Sequence, residues 1–109
     1  MPSALPLLQG TLDLLVLGAI RPKPIHGYGI ATVIDDRSGG QLQVEDAALY
    51  QALHRLERQG CIDAEWGASA NNRRARYYSL TAKGRRRLTE QTEYWRSYSR
   101  ALDAILRGA

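Results

Sequence analysis

A single cysteine, Cys61, stands in the 109 residues. No internal disulfide can form, and a lone thiol suits a reducing cytoplasm, the location expected for this chain. Long hydrophobic runs are missing too. The longest, LDLLVLGAI at 12–20, carries Asp13, whereas a membrane-spanning helix needs about 20 apolar residues. No basic stretch precedes it, so neither a secretory leader nor a membrane partner is expected. Catalytic patterns are absent: no glycine-rich phosphate loop, no nucleophile–base–orienter set and no carboxylate pair in a credible pocket. Asp35-Asp36 and Glu45-Asp46 read as charges at helix ends. His26, His54 and Cys61 are too widely spaced for a zinc site, and no second cysteine exists. These absences argue against an enzyme, a metal or a cofactor. Cys61 reads as a small buried hydrophobe.

One further absence is positional. From Trp66 to Thr89 there is no carboxylate, while NNRRARYYSLTAKGRRR at 71–87 holds seven basic side chains. The whole chain has 15 basic and 11 acidic residues, for a net charge of +4. Outside the window acids outnumber bases, so the positive excess sits in one stretch. Concentrated charge of this kind is the footprint of a polyanionic partner.

What is present reads as short elements with clear punctuation. Leu8, Leu12, Leu15, Val16 and Ala19 recur at helical spacing, predicting a first helix over 8–20 that the prolines of RPKP stop. A second is expected over 27–37 with Tyr28, Ala31 and Ile34 inward, ended by SGG. QLQV at 41–44 alternates and suggests a very short strand. A third helix over 46–59 buries Leu49, Ala52, Leu53 and Leu56, and Gly60 ends it. CIDAEW, with Ile62, Ala64 and Trp66 on one face, and RARYYSL, with Tyr78 and Leu80 on one face, flank the turn-forming GASANN. That pattern is a β-hairpin with basic flanks. Tyr78 belongs to the core, and Tyr77, on the other face, is placed to support the hairpin. From Thr81, a suitable N-cap, a long helix runs almost to the end. In it Leu88, Trp95 and Leu102 repeat every seven residues, with Gln91, Tyr98 and Ile105 offset. This heptad-like seam overhangs so small a core, and a partner chain is expected to cover it.

Opposite the buried stripe of the third helix lie Ala47, Gln51, His54 and Arg58, flanked by Tyr50 and Arg55. A solvated helix face looks much the same by itself. Three short helices, the third with a basic outer face, followed by a basic hairpin, give the order of a winged helix-turn-helix. In that architecture Gln51 can read adenine, arginines reach guanine or phosphate, and a tyrosine hydroxyl bonds phosphate. The hairpin, or wing, adds Asn72, Arg73, Arg74 and Arg76 to the set of expected DNA contacts, with Arg74 and Arg76 on the face opposite Arg73. Lys83 and Arg85–Arg87 oppose the helix dipole at the start of the last helix, a cost that a phosphate offsets. Lys83 is the one taken as a DNA contact.

The segments LLQGTLDLLVLGAI, HGYGIATVIDDRSGGQL, ALYQALHRLERQGCIDAEW and NNRRARYYSLTAKGRRRL run in family order over residues 7–88. In them the chain resembles the PadR family of bacterial transcriptional regulators. The resemblance implies a mainly α fold with a small β-hairpin. Residues 1–80 form the winged helix-turn-helix and 81–109 a single C-terminal dimerisation helix. It further implies a homodimeric repressor of double-stranded DNA, in a family where some members respond to phenolic compounds or drugs. Gln51 stands where the family usually has proline, and Glu45-Asp46 where it often has a serine-type cap. On this reading Leu88, Trp95, Tyr98, Leu102 and Ile105 make the dimer contact. Paired Trp95 rings could also wall a cleft for a small planar aromatic effector. The competing reading is a winged-helix assembly module that does not read DNA. RNA binding is weaker, because stacking aromatics are not clustered on a sheet.

Overall fold

The computed structural model describes residues 5–8, 10–68 and 71–108. The elements run α1 (Thr11–Ile20), β1 (Ile25–His26), α2 (Gly27–Arg37), α3 (Asp46–Arg58), β2 (Ile62–Ala68), β3 (Arg74–Leu80) and α4 (Ala82–Leu106). The fold is mainly helical with a small β-hairpin, β2-β3, as the sequence led us to expect, and β1 joins it to make an antiparallel sheet in the order β1-β3-β2. Helices α1, α2 and α3 enclose a core centred on Leu17, Ile20, Ile30, Leu53 and Leu56, each 1% exposed or less. Truncating one such leucine to alanine costs about 2–5 kcal/mol.

Helix α3 carries the four residues its spacing predicts, Leu49, Ala52, Leu53 and Leu56, all buried. Helix α1 differs from expectation. It begins at Thr11, whose amide and hydroxyl both donate to the Leu8 carbonyl, and Leu8 is 61% exposed. Gln9 lies outside the described residues. The buried face is Val16, Leu17, Ala19 and Ile20, with Leu12 and Leu15 only half-buried. A helix apolar on nearly every side gives periodicity little to distinguish. In α2 Ile34 is buried as expected, but its inward partner is Ile30 rather than Tyr28, which is 78% exposed.

QLQV is not a strand. The Ser38 hydroxyl accepts from the Leu42 amide at 2.9 Å, and the Gln41 amide donates to the Ser38 carbonyl. Leu42 and Val44 nonetheless pack against the core from this irregular segment. The third strand is instead β1, a two-residue piece pairing Ile25 with Tyr78 and His26 with Tyr77.

Helix α4 starts inside the core. The Thr81 hydroxyl accepts from the Gly84 amide at 3.0 Å and donates to the Gly60 carbonyl at 2.7 Å. Gly84 sits so close to the Cys61 carbonyl that a Cβ there would overlap it. Leu88, expected in the dimer seam, is 8% exposed and part of the chain's own core. Packing therefore continues past residue 80, and the helix leaves the body two turns later. Residues 100–108 are exposed throughout. No helix among the described residues is long and apolar enough to cross a membrane.

Candidate nucleic-acid interface

The outward side of α3 follows from its amphipathicity. With Leu49, Leu53 and Leu56 fixed in the core, Tyr50, Gln51, His54 and Arg58 are turned out and exposed. No side chain caps the start of this helix; Asp46 in its first turn favours the dipole.

The wing is a regular two-stranded ribbon in which Trp66 pairs with Arg76 and Ala68 with Arg74. Its arms are tied by the Tyr77 hydroxyl, which donates to the Ala68 carbonyl at 2.9 Å. Gly67 admits that ring, since a Cβ there would lie 3.1 Å from it. Tyr77 also meets His26 edge-on at 5.5 Å. His26 caps α2, its Nδ1 accepting from the Gly29 amide at 3.0 Å. Asn72 turns the chain with φ of 60°, a left-handed conformation that asparagine tolerates. Ser69 and Ala70 of the GASANN loop lie outside the described residues.

Between α3, the start of α2 and the wing runs a cleft of about 430 Å³. It gathers Tyr50, His54, Arg74 and Arg76 from the expected set, and no carboxylate lines it. Gln51, Arg58, Asn72 and Arg73 stand exposed outside it on the same elements or the hairpin turn. Three expected contacts are engaged within the chain. Arg55 forks onto Asp13 of α1, with Nη2 at 2.6 Å and Nε at 3.2 Å. That hydrogen bond raises the guanidinium pKa above its ordinary value, partly opposed by desolvation. Arg76 reaches Glu57 at 3.0 Å, and Lys83 donates to the Gln59 carbonyl at 2.7 Å.

Sequence reasoning missed three residues of the cleft. His26 was assigned no specific role, and Tyr28 was placed in the core. Trp66, which alternation puts on one strand face with Ile62 and Ala64 and to which no role was given, is 61% exposed because the ribbon extends beyond the core. The Arg74 guanidinium lies 4.7 Å from its ring centroid and that of Arg76 5.9 Å. A usable signal existed: a tryptophan whose cross-strand neighbours are arginines does not face an apolar core.

A second, larger groove of about 810 Å³ runs between α1, α2 and α4. Leu14, Leu15, Val33 and Trp95 supply apolar walls, and Arg21, Arg37, Arg85 and Arg96 also line it. Beyond it the seam residues Tyr98, Leu102 and Ile105 are 52%, 46% and 77% exposed. Tyr94 stacks on Tyr98 at 6.3 Å.

Similar arrangements occur in solved structures. A PadR-like transcriptional regulator from Bacillus cereus superposes with a TM-score of 0.81 at 25% identity, over 94% of this chain and 97% of that one. A PadR family transcriptional regulator from Eggerthella lenta gives 0.77 at 31% identity, over 90% and 83%. PadR of Bacillus subtilis, solved in complex with operator DNA, gives 0.67 at 22% identity over 75% of this chain and 47% of that one, a likeness of fold. Residues 16–90 match the model of the transcriptional regulator PadR-like family. With its helices, wing and long terminal helix in that order, the chain belongs to the PadR-like family of transcriptional regulators.

Proposed function

We propose that the protein is a DNA-binding repressor that works as a homodimer, with α3 in the major groove and the wing on backbone or minor groove. The observation that carries this is the shared face. Exposed Tyr50 and His54 face Arg74 across a cleft with no carboxylate, and exposed Gln51 stands just outside it on the same helix. Gln51 and His54 meet base edges, Tyr50 and Arg58 approach phosphate, and Asn72, Arg73 and Arg74 hold the wing to the duplex. The Bacillus subtilis protein of like fold, solved in complex with operator DNA, supports DNA as the partner. Dimerisation is supported by the uncovered face of α4, where Trp95, Tyr98, Leu102 and Ile105 are exposed in the single chain.

The test is in vitro selection of bound DNA from a random pool, followed by gel shift of the selected sequence with competitor. The expected site is palindrome-like, its half-sites about one helical turn apart. Recovery of no sequence would leave the assembly-module reading in its place.

The groove beside Trp95 suits a small planar aromatic effector, stacking on the indole with its polar groups toward the arginines. Titrating phenolic compounds while following tryptophan fluorescence in wild type and Trp95→Ala checks this. Equal responses in both remove Trp95 from the account.

A further inference from the structure

Asp13 is the one carboxylate of α1, and it is 13% exposed by its side chain. It accepts from two arginines on two other helices. Arg55 of α3 grips both of its oxygens, and Arg87 of α4 reaches Oδ2 at 3.4 Å. Arg87 continues the chain of contacts to the Gln59 side chain and to Cys61 Sγ at 3.6 Å. Helices α3 and α4 both pack on α1. The recognition helix and the dimerisation helix are thus joined through a single side chain on the helix between them.

We propose that Asp13 is a positioning residue for DNA recognition, one that withholds Arg55 from phosphate and pins α3 to α4. The inference rests on the DNA-binding reading above. Arg55 flanks the outward face of α3 and is 42% exposed by its side chain, so it is near enough to solvent to swing toward a backbone. A bidentate carboxylate partner at 2.6 and 3.2 Å occupies the geometry that phosphate would need. Arg87, 27% exposed, keeps the Gln59 contact if the carboxylate loses its charge. Phosphate contacts carry no sequence information, so restraining one arginine lowers affinity for all DNA while leaving base reading intact. Asp13 therefore sets the general affinity for DNA and leaves the choice of site to the base-reading residues. This assigns Arg55 differently from its neighbours on the helix: it orients and does not touch DNA.

The experiment measures affinity for the selected operator and for random duplex across a salt series. Wild type, Asp13→Asn, Arg55→Gln and the double variant are compared. In Asp13→Asn the freed guanidinium should steepen the dependence of log affinity on log salt by about 0.9. Affinity for the operator and for random duplex should rise together, leaving their ratio at the wild-type value. Arg55→Gln should leave the slope at the wild-type value, and the double variant should return to it. A purely structural Asp13 would instead lower both affinities together with no change in slope, which overturns the proposal. So does an Arg55→Gln slope shallower by about 0.9, the mark of a phosphate contact in the wild type. That second arm decides the matter even if Asp13→Asn does not fold. Wild type binding no DNA overturns the repressor reading and this one together; wild type binding with either adverse slope overturns this one alone.

Discussion

The Tyr50 hydroxyl fills the space where a Cβ on Gly27 would stand: that atom would lie 2.5 Å from Oη and 2.9 Å from Cζ. The first residue of α2 and the first aromatic on the face of α3 are therefore shaped to one another. In Gly27→Ala the tyrosine ring must move, since the backbone of α2 is held by the His26 cap and by β1. Alanine is a better helix former than glycine by about 1 kcal/mol, so thermal stability should change little. Operator affinity should fall roughly tenfold, the worth of one hydrogen bond to a charged phosphate. Thermal melting and DNA titration of the same variant check both halves; unchanged affinity would remove Tyr50 from the contact set.

Arg74 and Gln51 should fail in different ways. Arg74→Ala is expected to weaken binding to every sequence and to reduce the salt slope by about 0.9. Gln51→Ala should cost about 1–3 kcal/mol on the preferred site only, relaxing preference at one base position. Binding to a randomised operator library, read by sequencing, separates the two. Preference unaltered in Gln51→Ala would show that the residue reads no base.

Gly84→Ala is expected to be the most damaging small substitution in α4. Its methyl would meet the Cys61 carbonyl, a backbone atom that cannot step aside as a side-chain tip can. Overpacking of this kind costs about 1–3 kcal/mol or more. For a domain of this size each kcal/mol lowers the melting temperature by roughly 4–8 °C. Calorimetry giving an unchanged transition would mean that α4 does not begin packed against Cys61.

Leu102→Asp places a charge on the exposed seam of α4, far from the core and from the proposed DNA face. Folding of the body should be unaffected. Self-association should weaken by about 2 kcal/mol, near thirtyfold in the dimer dissociation constant. Sedimentation velocity across a concentration series reads this directly. A mutant as dimeric as wild type would place the interface elsewhere on the chain.

Much of this was legible in the residues. The buried stripe of α3 could be read because its outer face is polar, giving the pattern contrast. The hairpin could be read because alternation and turn residues agree, and its register keeps Arg74 and Arg76 beside the same ring. Helix α1 lacked that contrast, which is why Leu8 was misplaced. Strand β1 was hidden because two residues carry no period, and its pairing with Tyr77 and Tyr78 spans half the chain. Arg55 looked like a free DNA contact for a similar reason. Its partner Asp13 is 42 residues away, and helical spacing reports nothing about such neighbours.

The tie between Tyr77 and Ala68 has a consequence in time as well as in shape. A ribbon whose arms are already fastened, and whose root is braced by His26, has no folding step to complete when it reaches the duplex. Its encounter rate should then be set by diffusion and by the attraction of its arginines, rising as salt is lowered. Phenylalanine at position 77 would remove the fastening hydroxyl and leave the charge untouched. Slower association at constant ionic strength would be the signature of a wing that must first find its own form.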